Sequence, residues 1–264
     1  MNTFIVAPSH QHTHTVIFLH GRDSYAKEFA EEFFESQASD DRFFQDIFPA
    51  FKWVFPSARP LMSSVFGTEM SQWFDMSSVE KPEERKELQL EGLKENIAAI
   101  KDIILSEASQ FPTFSPDRII LAGISQGCAT AILALLSSQI RICGFMGLSS
   151  WLPFSSEVEQ LAAGAKQHSF SITDIENLYH LRHTTSSEAK IDIEKVKSTL
   201  QTPVLLSHCQ DDEVVPIANG KKLCQSLNKI GMTVTWKEYG DGGHWINEPQ
   251  GVDDMVEFMQ NIIL

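Results

Sequence analysis

The run Arg118-Ile-Ile-Leu-Ala-Gly-Ile-Ser-Gln-Gly-Cys-Ala-Thr constrains this chain more tightly than any other stretch. Residues Arg118 to Leu121, preceded by Pro116-Asp117, read as a short buried strand. Gln126 to Ser138 contains no proline and only the opening Gly127, so it reads as a helix. Between them Gly123, Ile124, Ser125, Gln126 and Gly127 leave room only for a sharp turn. Glycine two residues before and after the serine removes the Cβ atoms that would hold strand and helix apart, and the bend offers Ser125 at the strand's end. That is the geometry of a nucleophile elbow. An ordinary strand-to-helix turn can show the same pattern, so the flanking chain must decide.

At 264 residues the chain fits one large α/β domain better than two ordinary ones. Its 35 acidic against 21 basic residues give a net charge of −14, with no basic cluster, which argues against nucleic acid and anionic membrane surfaces as partners. Cys128, Cys143, Cys209 and Cys224 show no Cys-x-x-Cys pairing and no dense disulfide framework, which points to a reducing compartment. The N-terminus lacks a basic leader, no apolar window is long enough to span a bilayer, and Asn261-Ile-Ile-Leu is not a prenylation box. A soluble, cytoplasmic protein is expected.

Phe4 to Ala7 reads as an edge strand, and Thr15 to Leu19 as a strand ending at His20-Gly21. His10, His12 and His14 alternate and would share a strand face, but no nearby carboxylate or cysteine completes a metal shell, so packing or surface roles are expected. Ser24 is placed to cap a helix from Tyr25 to Glu35 with Phe29, Phe33 and Phe34 inward. Lys52 to Phe55 is β-like, followed by a long loop from Ser57 to about Val79 that carries Trp73-Phe74-Asp75. Leu93, Ile97, Ile100 and Ile104 stripe an amphipathic helix over Glu83 to Glu107.

Ile140 to Leu148 reads as the next strand, leading to Ser149-Ser150-Trp151-Leu152-Pro153. Glu157 to about Leu200 turns polar; residues 163–200 are expected to form a surface excursion or a lid. Pro203 to His208 is a strand, Ile217 to Ile230 a helix, Thr233 to Tyr239 a strand, and Gln250 to Ile263 the closing helix, with the glycine turn Gly240 to Trp245 before it. Alternating strands and helices imply a mainly parallel sheet with helices on both faces.

In such a sheet the loops at the carboxyl ends of strands converge, so Gly21, Ser125, Asp212 and His244 can meet. Serine, then aspartate, then histidine is the chain order of α/β-hydrolases. The chemistry needs each type: an imidazole to take the hydroxyl proton, and a carboxylate to fix the tautomer and stabilise the imidazolium. Asp211 competes with Asp212 for the acid position. The backbone N–H groups of Gln126 and Arg22 are expected to stabilise the oxyanion.

The segments Val16-Ile-Phe-Leu-His-Gly, Trp73-Phe-Asp, Arg118-Ile-Ile-Leu-Ala-Gly-Ile-Ser-Gln-Gly, Ser150-Trp-Leu-Pro, Asp212-x-Val-Val-Pro and Gly243-His244 together resemble the phospholipase/carboxylesterase family, which includes acyl-protein thioesterases. The resemblance implies Ser125 as nucleophile, Asp212 as acid and His244 as base, with Arg22 and Gln126 at the oxyanion positions. It also places Trp73, Trp151 and Leu152 on the acyl side. It implies a carboxylic ester or thioester hydrolase with no metal or organic cofactor, acting on a small ester or thioester or on an acylated protein; the sequence leaves open whether the chain forms a homodimer. Acyl transfer on a metabolite and a non-catalytic binding module are the rival readings. Two departures stand out: Arg22-Asp23-Ser24-Tyr25 replaces the family's glycine-rich continuation after His-Gly, and the stretch from Ala163 to Leu200 is longer than in the compact thioesterases.

Overall fold

The computed structural model describes residues 1–138, 140–155, 157 and 198–263; the expected excursion at 163–200 lies outside them apart from its last three residues. Seven strands form one sheet: β1 (Thr3–Val6), β2 (His14–Leu19), β3 (Phe51–Pro56), β6 (Ile119–Ile124), β7 (Gly144–Leu148), β8 (Val204–Cys209) and β9 (Val234–Tyr239). Their spatial order is β1-β3-β2-β6-β7-β8-β9. β1 runs antiparallel to β3 at the edge and every other pairing is parallel. The interior strands are buried on both faces, which is why they read as continuous apolar runs rather than alternating ones.

Alternate residues of each strand feed two cores. Ile17, Leu19, Val54, Ile119 and Leu121 face a core shared with α3 (Leu90–Ala108), α4 (Gln126–Ser138) and α5 (Ile217–Lys229). Val16, Phe18, Trp53, Phe55 and Ile120 face the other, closed by α1 (Ala26–Glu35) and α6 (Gln250–Ile262). In that second core Phe18 meets Phe29 and Phe33 edge-on at 5.0 and 4.9 Å, a geometry favoured by the ring quadrupoles. Helix α4 lies between sheet and α3 and is buried along its whole length, which its Ala- and Leu-rich sequence permits. A short α2 (Phe44–Ile47) precedes β3. No helix among the described residues is long and apolar enough to cross a membrane.

Several local expectations change. Ser24 does not cap α1: Tyr25 occupies that position, without a side-chain hydrogen bond. The amphipathic helix begins only at Leu90, after a 3₁₀ turn at Lys86–Gln89, because Arg85 adopts a left-handed conformation (φ 48°) that a continuing helix cannot include. β7 begins at Gly144 rather than Ile140. The loop from Ser57 contains a hairpin, β4 (Pro60–Met62) and β5 (Glu69–Ser71). His10, His12 and His14 do not share a strand face: only His14 lies in β2, while His12 stacks on Phe111 and His14 on Phe51.

At the elbow the steric margin is nil. A Cβ on Gly127 would come within 2.3 Å of the His20 carbonyl oxygen and 2.5 Å of that of Leu19, and one on Gly123 within 2.5 Å of the Cys128 nitrogen. These neighbours are backbone and cannot rotate away. Gly127→Ala is therefore expected to lower unfolding free energy in urea by about 1–3 kcal/mol. Gly240→Ala, whose added methyl group would meet nothing within 4 Å, should stay within about 0.5 kcal/mol of wild type.

Candidate active site

Four strand ends build the site. Ser125 follows β6 at φ 54°, a backbone conformation that costs a non-glycine residue about 1–3 kcal/mol and persists only when its surroundings fix it. Here they do. Its N–H donates to the Leu148 carbonyl (2.9 Å) at the end of β7, and its own carbonyl accepts from the Ser150 hydroxyl (2.6 Å) and the Ala129 N–H (3.1 Å). The Gln126 side chain then clamps the neighbouring loop, accepting from the Trp73 N–H (2.8 Å) and donating to the Phe74 carbonyl (2.7 Å).

The turn after β2 is held by His20. Burial lowers the pKa of its imidazole to about 4, so the ring is neutral at physiological pH. Its Nδ1 donates to the Gly21 carbonyl (2.6 Å) and its Nε2 accepts from the Ala58 N–H (3.0 Å). The His20 carbonyl accepts from Trp73 Nε1 (2.8 Å). These contacts fix the turn that carries Arg22 beside the elbow.

Beyond β8 and β9 the two candidate acids separate. Asp212 Oδ2 lies 2.8 Å from His244 Nδ1; a carboxylate only accepts, so Nδ1 carries the proton and Nε2 is left free for a second partner. Asp211 instead accepts from the Gly243 N–H (2.8 Å), bracing the turn on which His244 sits. Burial disfavours the Asp212 charge, but the neighbouring His208 ring and hydrogen bonds from His244 and the Val215 N–H outweigh it and hold the carboxyl well below the usual range.

His208 is a residue that sequence reasoning passed over. Fully buried at the end of β8, it donates from Nε2 to the Val215 carbonyl (2.8 Å) and stands 3.2 Å from Asp212 Oδ2. A Cβ on Gly220 would come within 2.4 Å of its Nδ1, so the ring packs directly on the α5 backbone. Its one sequence signal was a histidine at a strand end four residues before the aspartate.

Ser125, Gln126, Arg22, His244 and Trp151 line a single cavity of about 420 Å³ whose other walls are mainly apolar, among them Phe29, Met70, Met76 and Val79. Trp73 and Leu152, expected on the acyl side, do not line it. Trp73 is buried beneath the His20 turn as a support, and Leu152 borders a separate depression. Among the described residues no group of three His, Cys, Asp or Glu side chains is placed to hold a metal ion.

The profile of the phospholipase/carboxylesterase family matches residues 1–175, and that of the prolyl oligopeptidase family matches residues 97–263. Acyl-protein thioesterase 1 of Gibberella zeae is 27% identical over 256 residues, covering 95% of this chain and 91% of the relative. Carboxylesterase SOBER1 of Arabidopsis thaliana is 27% identical over 205 residues, covering 75% and 72% respectively. The crystal structure of Zea mays acyl-protein thioesterase 2 superposes with a TM-score of 0.72 at 20% identity, covering 100% of this chain and 99% of the other, which establishes the α/β-hydrolase fold. The first profile spans the elbow and the His20 turn. The chain belongs to the phospholipase/carboxylesterase family and is a hydrolase of carboxylic esters or thioesters.

Proposed function

We propose that Ser125, His244 and Asp212 act as a catalytic triad that cleaves an acyl ester or thioester through an acyl-enzyme. The observation that carries this reading is the 2.8 Å contact between His244 and a buried carboxylate, in the cavity that a strained serine also lines. Ser125 Oγ attacks the carbonyl carbon as its proton passes to His244 Nε2. The backbone N–H groups of Gln126 and Arg22 receive the developing oxyanion, and the leaving alcohol or thiol takes the proton back from His244. Water, deprotonated by the same imidazole, then attacks the acyl carbon and frees the acid and the serine.

The apolar walls suit an acyl chain, and the relatives named for acyl-protein and carboxylic ester hydrolysis supply the substrate classes. Burial pushes the Cys128 thiol up to about 12 and those of Cys143 and Cys209 to about 11, so these three are poor rival nucleophiles. The prolyl oligopeptidase match favours peptide bonds as a second substrate class for the same triad.

A fluorophosphonate probe should label wild-type protein at Ser125, and Ser125→Ala should lose labelling and most ester turnover, keeping about 10³-fold over water. Labelled protein without turnover of esters, thioesters or peptide anilides would defeat the hydrolytic reading; product partition with added alcohols or thiols separates hydrolysis from acyl transfer. Asp212→Asn should lower kcat by about 10³–10⁴-fold, while Asp211→Asn, which only braces the turn, should cost far less; equal losses in steady-state rates would reject the assignment of the acid.

The depressed Asp212 pKa also fixes a sign. Its contribution to stability is complete above the ordinary carboxylate value of about 4 and is lost as pH falls from there towards the folded value. The urea stability gap between wild type and Asp212→Asn should therefore be constant near neutrality and close in acid.

A further inference from the structure

We propose that the Arg22 side chain is a specificity determinant that binds a carboxylate or phosphate carried by the substrate a few bonds from the scissile carbonyl. This rests on the hydrolase reading and deepens it by naming a substrate class. Arg22 is half-buried, and its guanidinium lies over the Phe66 ring, 5.4 Å from the centroid. Among the described residues it forms no ion pair, and the charges of Asp23 and Asp75 reach it only from beyond ion-pair distance. The more exposed Arg42, Arg59 and Arg85 each pair with a carboxylate, in a chain where acids outnumber bases.

Asp75 accepts from the Ser64 N–H (3.1 Å) and hydroxyl, and Asp23 is fixed at φ 61° by its N–H bond to the Ser71 carbonyl (2.7 Å). A half-desolvated cation whose neighbouring carboxylates, Asp23 and Asp75, act on it without an ion pair is only partly compensated, and a bound anion adds to that compensation. Among the described residues Arg22 is also the only lysine or arginine lining the cavity with Ser125 and His244. The other ionised side chains described there, Asp23 and Glu32, are acidic, so a substrate anion is favoured only at the guanidinium. Phe66 lies against the guanidinium, whose planar fork of N–H groups suits two-point binding of an oxyanion group.

The reach follows from the mechanism. With the Arg22 N–H at the oxyanion position, its side chain starts beside the reacting carbon, so the anion it meets must be close to the scissile bond. That group belongs to the acyl chain or to the leaving group, and both present the same chemistry. Two substrate pairs distinguish them: a half-ester of a short dicarboxylic acid against its methyl-capped form, and the butyrate of a phosphorylated alcohol against that of the neutral alcohol.

In at least one pair wild type should favour the anionic member by about tenfold or more in kcat/KM at low salt, and added salt should shrink the ratio. Arg22→Gln should bring the ratio towards one, Arg22→Lys should restore part of it, and Phe66→Leu, which unseats the guanidinium, should lower it independently. Turnover of neutral esters with no anionic preference in either pair would overturn the proposal, as would a preference that survives in folded Arg22→Gln. No labelling by fluorophosphonate and no turnover of any ester would instead strike the hydrolase reading, and this proposal with it.

Discussion

The site depends on one close approach. Where β6 passes into α4, the backbone of Gly127 sits on the carbonyls of Leu19 and His20 with no space for a methyl group, so the elbow and the end of β2 form one packed unit. Ser125 is forced into a left-handed backbone, but bonds to Leu148 and from Ser150 tie the bend to β7 and leave it no lower-energy alternative. The proposed nucleophile, the turn proposed to receive the oxyanion and a wall of the cavity are thereby fixed relative to one another by three neighbouring strands.

Electrostatics completes what sterics begins. Asp212 is almost fully buried, and a carboxylate there survives as an anion only because both oxygens are met by donors. Oδ1 accepts the Val214 and Val215 N–H groups, each at 2.9 Å, while Oδ2 faces the two imidazoles. The two backbone donors come from the turn that ends in Pro216, so the local chain path creates the anion's solvation shell. In the proposed mechanism, a carboxylate solvated by fixed dipoles need not reorganise when His244 gains a proton, which is where preorganisation lowers a barrier.

The sequence made the elbow, the alternation of strands and helices, and the placing of Ser125, Asp212 and His244 at strand ends legible, because each is written in short-range signals: glycine spacing, apolar runs, and turns at strand ends. It left Asp211 and Asp212 undecided, since adjacent loop residues point in different directions and only the folded turn assigns one to His244 and the other to the Gly243 N–H. His208 stayed hidden in an apolar strand. Trp73 eludes sequence reasoning for a related cause: an indole beside a motif reads equally as a wall or a support, and its Nε1 bond to His20 makes it a support. The β4–β5 hairpin gives no signal because its strands are three residues each, too short for any periodicity to register.

The loop from Ser57 to Val79 lines the cavity beside the proposed reacting centre and supplies none of its proposed reacting groups. Its last part is clamped by the Gln126 side chain, and Met76, just beyond that clamp, lines the cavity. Its hairpin end places Phe66 and Met70 on the same cavity, with Phe66 beneath Arg22. One end of the loop is thus tied to the elbow helix and the other to the His20 turn, the two elements whose N–H groups are assigned to the oxyanion. Side chains between those anchors can change the shape of the pocket while the anchors hold the donors in place. Changes at the anchors move both at once, because Gln126 contributes its backbone to one task and its side chain to the other.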